Sequence, residues 1–194
     1  VIKLYFPTAI FYKDKIFDEL ELDFLKEKSN NILNKIKENK SNWYSQLKNT
    51  FNQYNLIDDP HFEVLLKVIN EYVTSFNHAH GSKLVYDKPY SAWLNLYNEG
   101  DYQEFHNHAS HRYSAIFIIE GEKNIDKATP ICFNNPYQDM LPPNGVEGLN
   151  ELTFQQYSFN ALENSLIIFR SHLQHCVQKH IGKKQRISLA LNYN

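Results

Sequence analysis

The sequence predicts a mainly β domain with helices gathered at its N-terminal end, and three observations carry that expectation. Apolar residues recur at helical spacing up to about residue 80. From about Leu84 the period drops to two. The later apolar runs are short and separated by turn residues, the pattern of a sandwich or barrel rather than of alternating βαβ units. A length of 194 residues fits one domain, with 1–83 as a mainly helical support and 84–194 as the β core.

The elements follow in order. Between Asp18 and Lys40, Leu20, Phe24, Leu25, Ile32, Leu33 and Ile36 recur at mostly helical spacing, with Glu and Lys between them, which predicts an amphipathic surface helix lying on a sheet. A second helix is expected from Pro60 to Ala79. Asp59 suits its N-cap, Pro60 its first turn, and Phe62, Leu65, Leu66, Ile69, Tyr72 and Val73 its buried face. His78-Ala79-His80-Gly81 reads as its fraying end, with Gly81 a stop signal, which makes the two histidines structural rather than metal ligands.

In Ser91 to Asn98, Trp93, Asn95 and Tyr97 point one way and Ala92, Leu94 and Leu96 the other, before Asn98-Glu99-Gly100-Asp101 turns the chain. Further strands are expected at Gln103 to His106, Arg112 to Glu120, Ile131 to Asn134, Thr153 to Phe159, Leu166 to Arg170 and Arg186 to Tyr193. Pro136, Pro142, Pro143, Gly145 and Gly148 make Asn135 to Glu151 a long irregular connection, either a lid or a plain surface loop.

Composition narrows the function classes. Thirteen Phe and thirteen Tyr supply ample bulky apolar surface, which argues against disorder. A net charge of −2 offers no field to steer the whole protein onto nucleic acid; Lys179, His180, Lys183, Lys184 and Arg186 form a basic segment, either a local patch or, for its lysines, a solvated loop before a final strand. Two cysteines, Cys132 and Cys176, make no disulfide framework. With no signal peptide pattern and no bilayer-length apolar run, a soluble cytoplasmic protein is expected, with a homodimer compatible.

The chemistry-bearing residues are histidines. His106 and His108, one residue apart at a strand end, can turn neutral imidazoles toward one ion, and His175 follows a distant strand as a candidate third ligand. A His-x-His pair alone fits two solvated histidines equally well. His111 and His172 lie close by in sequence and fit surface or supporting roles, with His172 the alternative if His175 faces away. Cys176 beside His175 is badly placed as a nucleophile, because strand neighbours point to opposite faces.

Three stretches carry a resemblance. Trp93 to His108, Leu166 to Val177 and Arg186 to Asn192, in that order, resemble the iron-binding strand, the turn with the distal His and the Arg-x-Ser-x-x-x-Asn closing strand of 2-oxoglutarate/Fe(II)-dependent oxygenases, especially a bacterial and phage subgroup with a His-x-His motif. The resemblance covers roughly the C-terminal half. It implies a double-stranded β-helix, that is, a cupin-like jelly roll, with Fe(II) on His106 and His175 and the distal carboxylate of 2-oxoglutarate on Arg186. Arg suits that task, since its planar guanidinium grips a carboxylate bidentately and stays charged when desolvated.

Arg186, Ser188, Ala190 and Asn192 share one strand face, so Ser188 and Asn192, with Asn95 and Tyr97 from Ser91 to Asn98, are candidate co-substrate contacts or ordinary sheet polarity. The family's usual carboxylate, two residues after the first His, is His108 here. Either His108 completes a three-His set, Glu104 or Asp101 swings in, or water or an anion takes the place. Arg170 replaces the usual turn Pro, and Asn164-Ser165 stands where Pro-Gly often precedes the strand.

The implied activity is oxygen-dependent hydroxylation of a small-molecule or peptide substrate, with 2-oxoglutarate decarboxylated to succinate. The alternatives are a three-His cupin-type iron dioxygenase that does not use 2-oxoglutarate, and a non-catalytic jelly-roll binding module.

Overall fold

The structure, a computed structural model, describes residues 8–37, 44–45, 47–137 and 154–194. Its strands are β1 (Ile10–Lys13), β2 (Lys48–Asn49), β3 (Ser91–Tyr97), β4 (Gln103–His106), β5 (Tyr113–Glu120), β6 (Pro130–Asn134), β7 (Gln156–Asn160), β8 (Leu166–Arg170), β9 (His175–Val177) and β10 (Arg186–Tyr193). Two helices, α1 (Glu19–Lys35) and α2 (Glu63–Ala79), precede β3. Six strands form the larger sheet in the order β1-β8-β5-β10-β3-β2, and four form the smaller in the order β4-β9-β6-β7. The strand pairs are antiparallel, so this is the expected two-sheet jelly roll.

Alternation along β10 explains the layering. Ile187, Leu189, Leu191 and Tyr193 join Leu94 and Leu96 of β3 under the helices, packed with Leu65, Ile69 and Val73 of α2 and Leu22, Leu25 and Leu33 of α1. The opposite face of the larger sheet supplies Ile116, Ile118, Ile167 and Phe169, which meet Ile131, Phe133 and Val177 of the smaller sheet. Each fully buried aliphatic or Phe side chain contributes about 1.5–3 kcal/mol relative to exposure. The helices therefore rest on the sheet mainly through burial rather than through intrinsic propensity.

Local chemistry sets the helix starts. Asp18 caps α1 by accepting from the Glu21 N–H at 2.9 Å while the Glu21 carboxylate accepts from the Asp18 N–H, a capping box. The helix ends at Lys35 rather than at Lys40, because Ile36 turns extended; residues 38–43 lie outside the described residues. Its buried face also differs from the expected one. Leu22, Leu25, Ser29, Ile32 and Leu33 face the core, whereas Leu20 is 84% exposed and Phe24 is also exposed.

Asp59 accepts from the His61 N–H, as its N-cap assignment requires, but Pro60–Phe62 form a 3-10 turn before α2 begins. α2 ends at Ala79, with Gly81 just beyond at φ +82, and His80 Nδ1 meets the Phe76 carbonyl at 2.8 Å, a structural role.

Strands β4, β8 and β10 fall where the sequence places them, and β3, β5, β6 and β7 within a few residues. β1, β2 and β9 were not expected as strands. They have four, two and three residues, too few to show alternation. Most of the Asn135 to Glu151 connection lies outside the described residues. No helix among the described residues is long and apolar enough to cross a membrane.

Candidate active site

β4 and β9 bring the first two histidines together, since His106 and His175 are register partners. Their ring centroids are 4.2 Å apart. His108 lies beyond the end of β4, so strand alternation does not place it. Its backbone N–H donates to the Ser171 carbonyl at 2.8 Å, and that tie to the turn after β8 folds the ring back beside His175, with centroids 5.4 Å apart. One nitrogen from each of the three rings falls within 4.8 Å of the others.

The same device orients two of the rings. Nδ1 of His106 meets the Glu104 carbonyl at 2.7 Å, and Nδ1 of His175 meets the Leu173 carbonyl at 3.1 Å. A backbone acceptor on Nδ1 fixes the proton there and makes Nε2 the lone-pair nitrogen, the tautomer a metal ligand needs. The His108 ring has no such hydrogen bond among the described residues; it stacks on the Trp93 indole, with centroids 5.8 Å apart. His175 is 2% exposed and packs against both the Phe133 and Phe169 rings.

Burial sets the protonation. Desolvation lowers all three imidazoles, His108 to about 4 and His175 well below 6.5; beyond burial, the His106 ring lowers the other two further. The cluster is thus neutral near pH 7, as metal binding requires. In the metal-free protein the unfolded chain takes up protons on these imidazoles below about 6.5, while in the folded chain His108 resists until about 4 and burial holds His106 and His175 below the usual value as well. These groups leave stability flat above pH 6.5 and lower it steadily as pH falls toward 4. Urea unfolding of metal-free protein is expected to show the midpoint dropping across that window, with a shallower drop for His108→Asn.

No carboxylate joins the three histidines among the described residues. Glu104 Oε1 instead accepts from the N–H groups of Tyr44 and Ser45 at 2.7 and 3.2 Å, and Asp101 Oδ2 accepts from the Asn98 N–H at 2.8 Å. His111 contacts Asn194, and His172 is exposed; neither enters the cluster. Cys176 faces Cys132 across β6 and β9, and burial pushes its thiol up to about 11, which suits an inert side chain and not a nucleophile.

The histidines form one wall of a small, partly open cleft. Trp93, Asn95 and Tyr97 from β3 and Ser188, Ala190 and Asn192 from β10 line it, as the alternation predicted. At the Tyr97 end lies Arg186, 1% exposed and opposite Tyr97 in register. It does not itself form the cleft wall; its neighbours Tyr97 and Ser188 do. The guanidinium lies 4.7 Å from the centre of the Tyr97 ring, and its three buried nitrogens have no hydrogen-bond partner of good geometry among the described residues. Burial disfavours this charge, yet Arg stays ionised in proteins, so the fold carries a buried cation awaiting an anion.

Asn192 stands at the other end of β10, about 20 Å along the strand from Arg186 at ~3.3 Å per residue. Its amide is engaged on both sides: Oδ1 accepts from Ser114 Oγ at 2.9 Å, Nδ2 donates to Ser91 Oγ at 3.2 Å, and Ser114 Oγ pairs with Ser171 Oγ at 2.8 Å. That buried chain supports the turn whose carbonyl holds His108.

Two polar lining residues were not anticipated. Ser114 is the one polar side chain in Ser114–Ile119, a signal that inward polarity could have supplied. Gln103 accepts from the Tyr97 hydroxyl at 2.6 Å and reaches the cleft because β4 is irregular between Gln103 and His106, which breaks simple alternation.

The residues present fit a metal ion and an anion: three neutral imidazoles converge, and a buried guanidinium in the same region has no counter-charge among the described residues.

Comparisons with known proteins agree. Residues 91–192, just over half the chain, match the family described as "Putative 2OG-Fe(II) oxygenase". No curated protein matches by sequence. Among solved structures, a Pseudomonas putida prolyl-4-hydroxylase shares the fold at TM-score 0.65 and 11% identity, covering 96% of this chain and 94% of that one. HygX from Streptomyces hygroscopicus, solved with nickel and 2-oxoglutarate, aligns at TM-score 0.63 and 10% identity over 95% and 82% of the two chains. A prolyl hydroxylase from Trichoplax adhaerens, in complex with a hypoxia inducible factor peptide fragment, aligns at TM-score 0.65 and 11% identity over 96% and 83%. The chain belongs to the 2OG-Fe(II) oxygenase family and is a 2-oxoglutarate-dependent non-haem iron oxygenase, with Fe(II) as cofactor and 2-oxoglutarate as co-substrate.

Proposed function

We propose that His106, His108 and His175 hold the iron, that Arg186 receives the distal carboxylate of 2-oxoglutarate, and that the enzyme hydroxylates a C–H bond of its substrate. The balanced reaction consumes one 2-oxoglutarate and one O2 per C–H bond and yields succinate, CO2 and the hydroxylated product. When bound, the metal supplies the oxygen activation that protein side chains lack.

The protein's own contributions are positional. Arg186 neutralises the co-substrate's distal charge and fixes its direction, and the Tyr97 ring holds the guanidinium in place. Ser188 and Asn95, opposite each other in register, offer a hydroxyl and an amide beside that seat. Tyr97 is held toward Gln103 by its own hydroxyl. Asn192 acts through Ser114 and Ser171 as a positioning residue for His108. Phe133 and Phe169, packed on the His175 ring, keep water away from it.

The observation that supports this function is the fully buried Arg186, without a hydrogen-bond partner of good geometry among the described residues, beside a neutral three-imidazole cluster. A three-His dioxygenase that binds substrate directly would draw support from His108 in the carboxylate position, but it would leave Arg186 without a task. Mass spectrometry of aerobic incubations is expected to show slow conversion of 2-oxoglutarate to succinate, dependent on added Fe(II) even without the true substrate. Iron-loaded protein that consumes oxygen with a substrate but never forms succinate would point to the three-His dioxygenase instead.

A further inference from the structure

The cleft wall is uncharged. Its polar groups are amides, hydroxyls and neutral imidazoles, and none of the described residues lining it is Asp, Glu, Lys or Arg. Arg186, the fixed cation beside it, is matched by the co-substrate under the function proposed above. A phosphate, carboxylate or ammonium brought in by the substrate would therefore be desolvated with no counter-charge, at a cost of several kcal/mol.

One large aromatic side chain, Trp93, stands in the wall beside His108. Trp93 lines the cleft and is half-buried; one of its ring contacts is the stacked His108 imidazole, and another is the edge of Phe51, with centroids 5.2 Å apart and planes at 75°. Phe51 is 48% exposed, so the pair extends from that wall toward solvent. Beside Trp93 stands Ala190, its register partner on β10, a small side chain that also lines the cleft. The polar groups at this end are spoken for, since Ser114 and Asn192 bond to each other and to Ser171 and Ser91.

From this we infer that the substrate presents an uncharged aliphatic group to the cleft, laid against the Trp93 indole with Phe51 at its outer edge, and that Trp93 determines which groups are accepted. Such a group is the side chain or ring of a blocked, amide-linked residue, or an equivalent neutral portion of a small molecule, with any charges kept outside the cleft. The inference rests on the 2-oxoglutarate reading, because that co-substrate occupies Arg186.

The test uses four probes: N-acetyl-L-prolinamide and N-acetyl-L-leucinamide as neutral ligands, N-acetyl-L-lysinamide as a cation and adenosine monophosphate as an anion. Anaerobic calorimetry on protein loaded with Fe(II) and 2-oxoglutarate is expected to give at least one neutral probe an affinity about ten-fold or more above both charged ones. Trp93→Ala should reduce that affinity about ten-fold, equal to ~1.4 kcal/mol, while Trp93→Phe keeps most of it. The chain has two tryptophans, so in a Trp43→Phe background the emission of Trp93 reports alone. It should change saturably with the neutral probe in loaded and metal-free protein alike.

Equal or tighter binding of a charged probe, no binding of either neutral probe, or an unchanged affinity in Trp93→Ala each overturns the inference. The two levels separate cleanly. Failure of the loaded protein to develop its visible iron–2-oxoglutarate band counts against the co-substrate reading, whereas a normal band without neutral-probe binding counts against the substrate class alone.

Discussion

Arg186→Met is expected to weaken 2-oxoglutarate binding severely while leaving the metal-free fold as stable as the parent or more so. The two effects have opposite signs because the guanidinium is a cost to the empty protein and an asset to the occupied one. Its three nitrogens are buried without good hydrogen-bond partners among the described residues. Replacing buried ionic groups by apolar side chains of similar size is often neutral or stabilising by about 1–4 kcal/mol. Removing one side of a desolvated charge pair typically costs about 2–5 kcal/mol of binding, or roughly 30-fold to several thousand-fold in affinity.

Calorimetric titration and thermal unfolding of the same samples read both numbers. Arg186→Lys should fall between, since it keeps a charge but loses the planar fork. Parent-like 2-oxoglutarate affinity in Arg186→Met would remove the anchor from the account.

The second large effect is on the metal. His175→Ala should weaken Fe(II) binding by more than about 100-fold, above the 10–100-fold typical of changes in groups that merely orient a ligand. His175 is the most buried of the three histidines, its ring is oriented by the Leu173 carbonyl, and it is packed against two Phe rings. His106→Ala should behave alike.

His108→Ala is the informative comparison. If the imidazole is a ligand, its loss matches the other two; a loss under ten-fold would make the centre a two-His site. His108→Asp should retain the ion, because it supplies an anionic oxygen two residues after His106. Equilibrium metal titration of the four variants checks the series, with circular dichroism confirming that each is folded.

Much of this was legible in the sequence, for a physical reason. A buried strand must alternate, so the two faces of Trp93 to Tyr97 and of Arg186 to Tyr193 could be read directly, and both faces are as expected. His106 and His175 were legible as candidate ligands because few side chains suit a metal. What stayed hidden depends on geometry that no local pattern encodes. The irregularity in β4 turns Gln103 into the cleft. His108 converges on its partners through a hydrogen bond from its backbone to Ser171, not through the strand periodicity that first suggested it. Helix α1 buries Leu22 and Ser29 in place of the more apolar-looking Leu20 and Phe24, because the sheet beneath decides which stripe faces inward. Short strands such as Lys48–Asn49 have too few residues to show a period.

The most direct test of the central claim is an anaerobic titration of 2-oxoglutarate into Fe(II)-loaded protein, followed by visible absorption. Chelation by the 2-oxo acid should produce the metal-to-ligand charge-transfer band, saturating at one equivalent and missing in His175→Ala; in Arg186→Met it should need far more 2-oxoglutarate to appear. Iron retained by the protein, with no band and no heat of 2-oxoglutarate binding, would contradict the account.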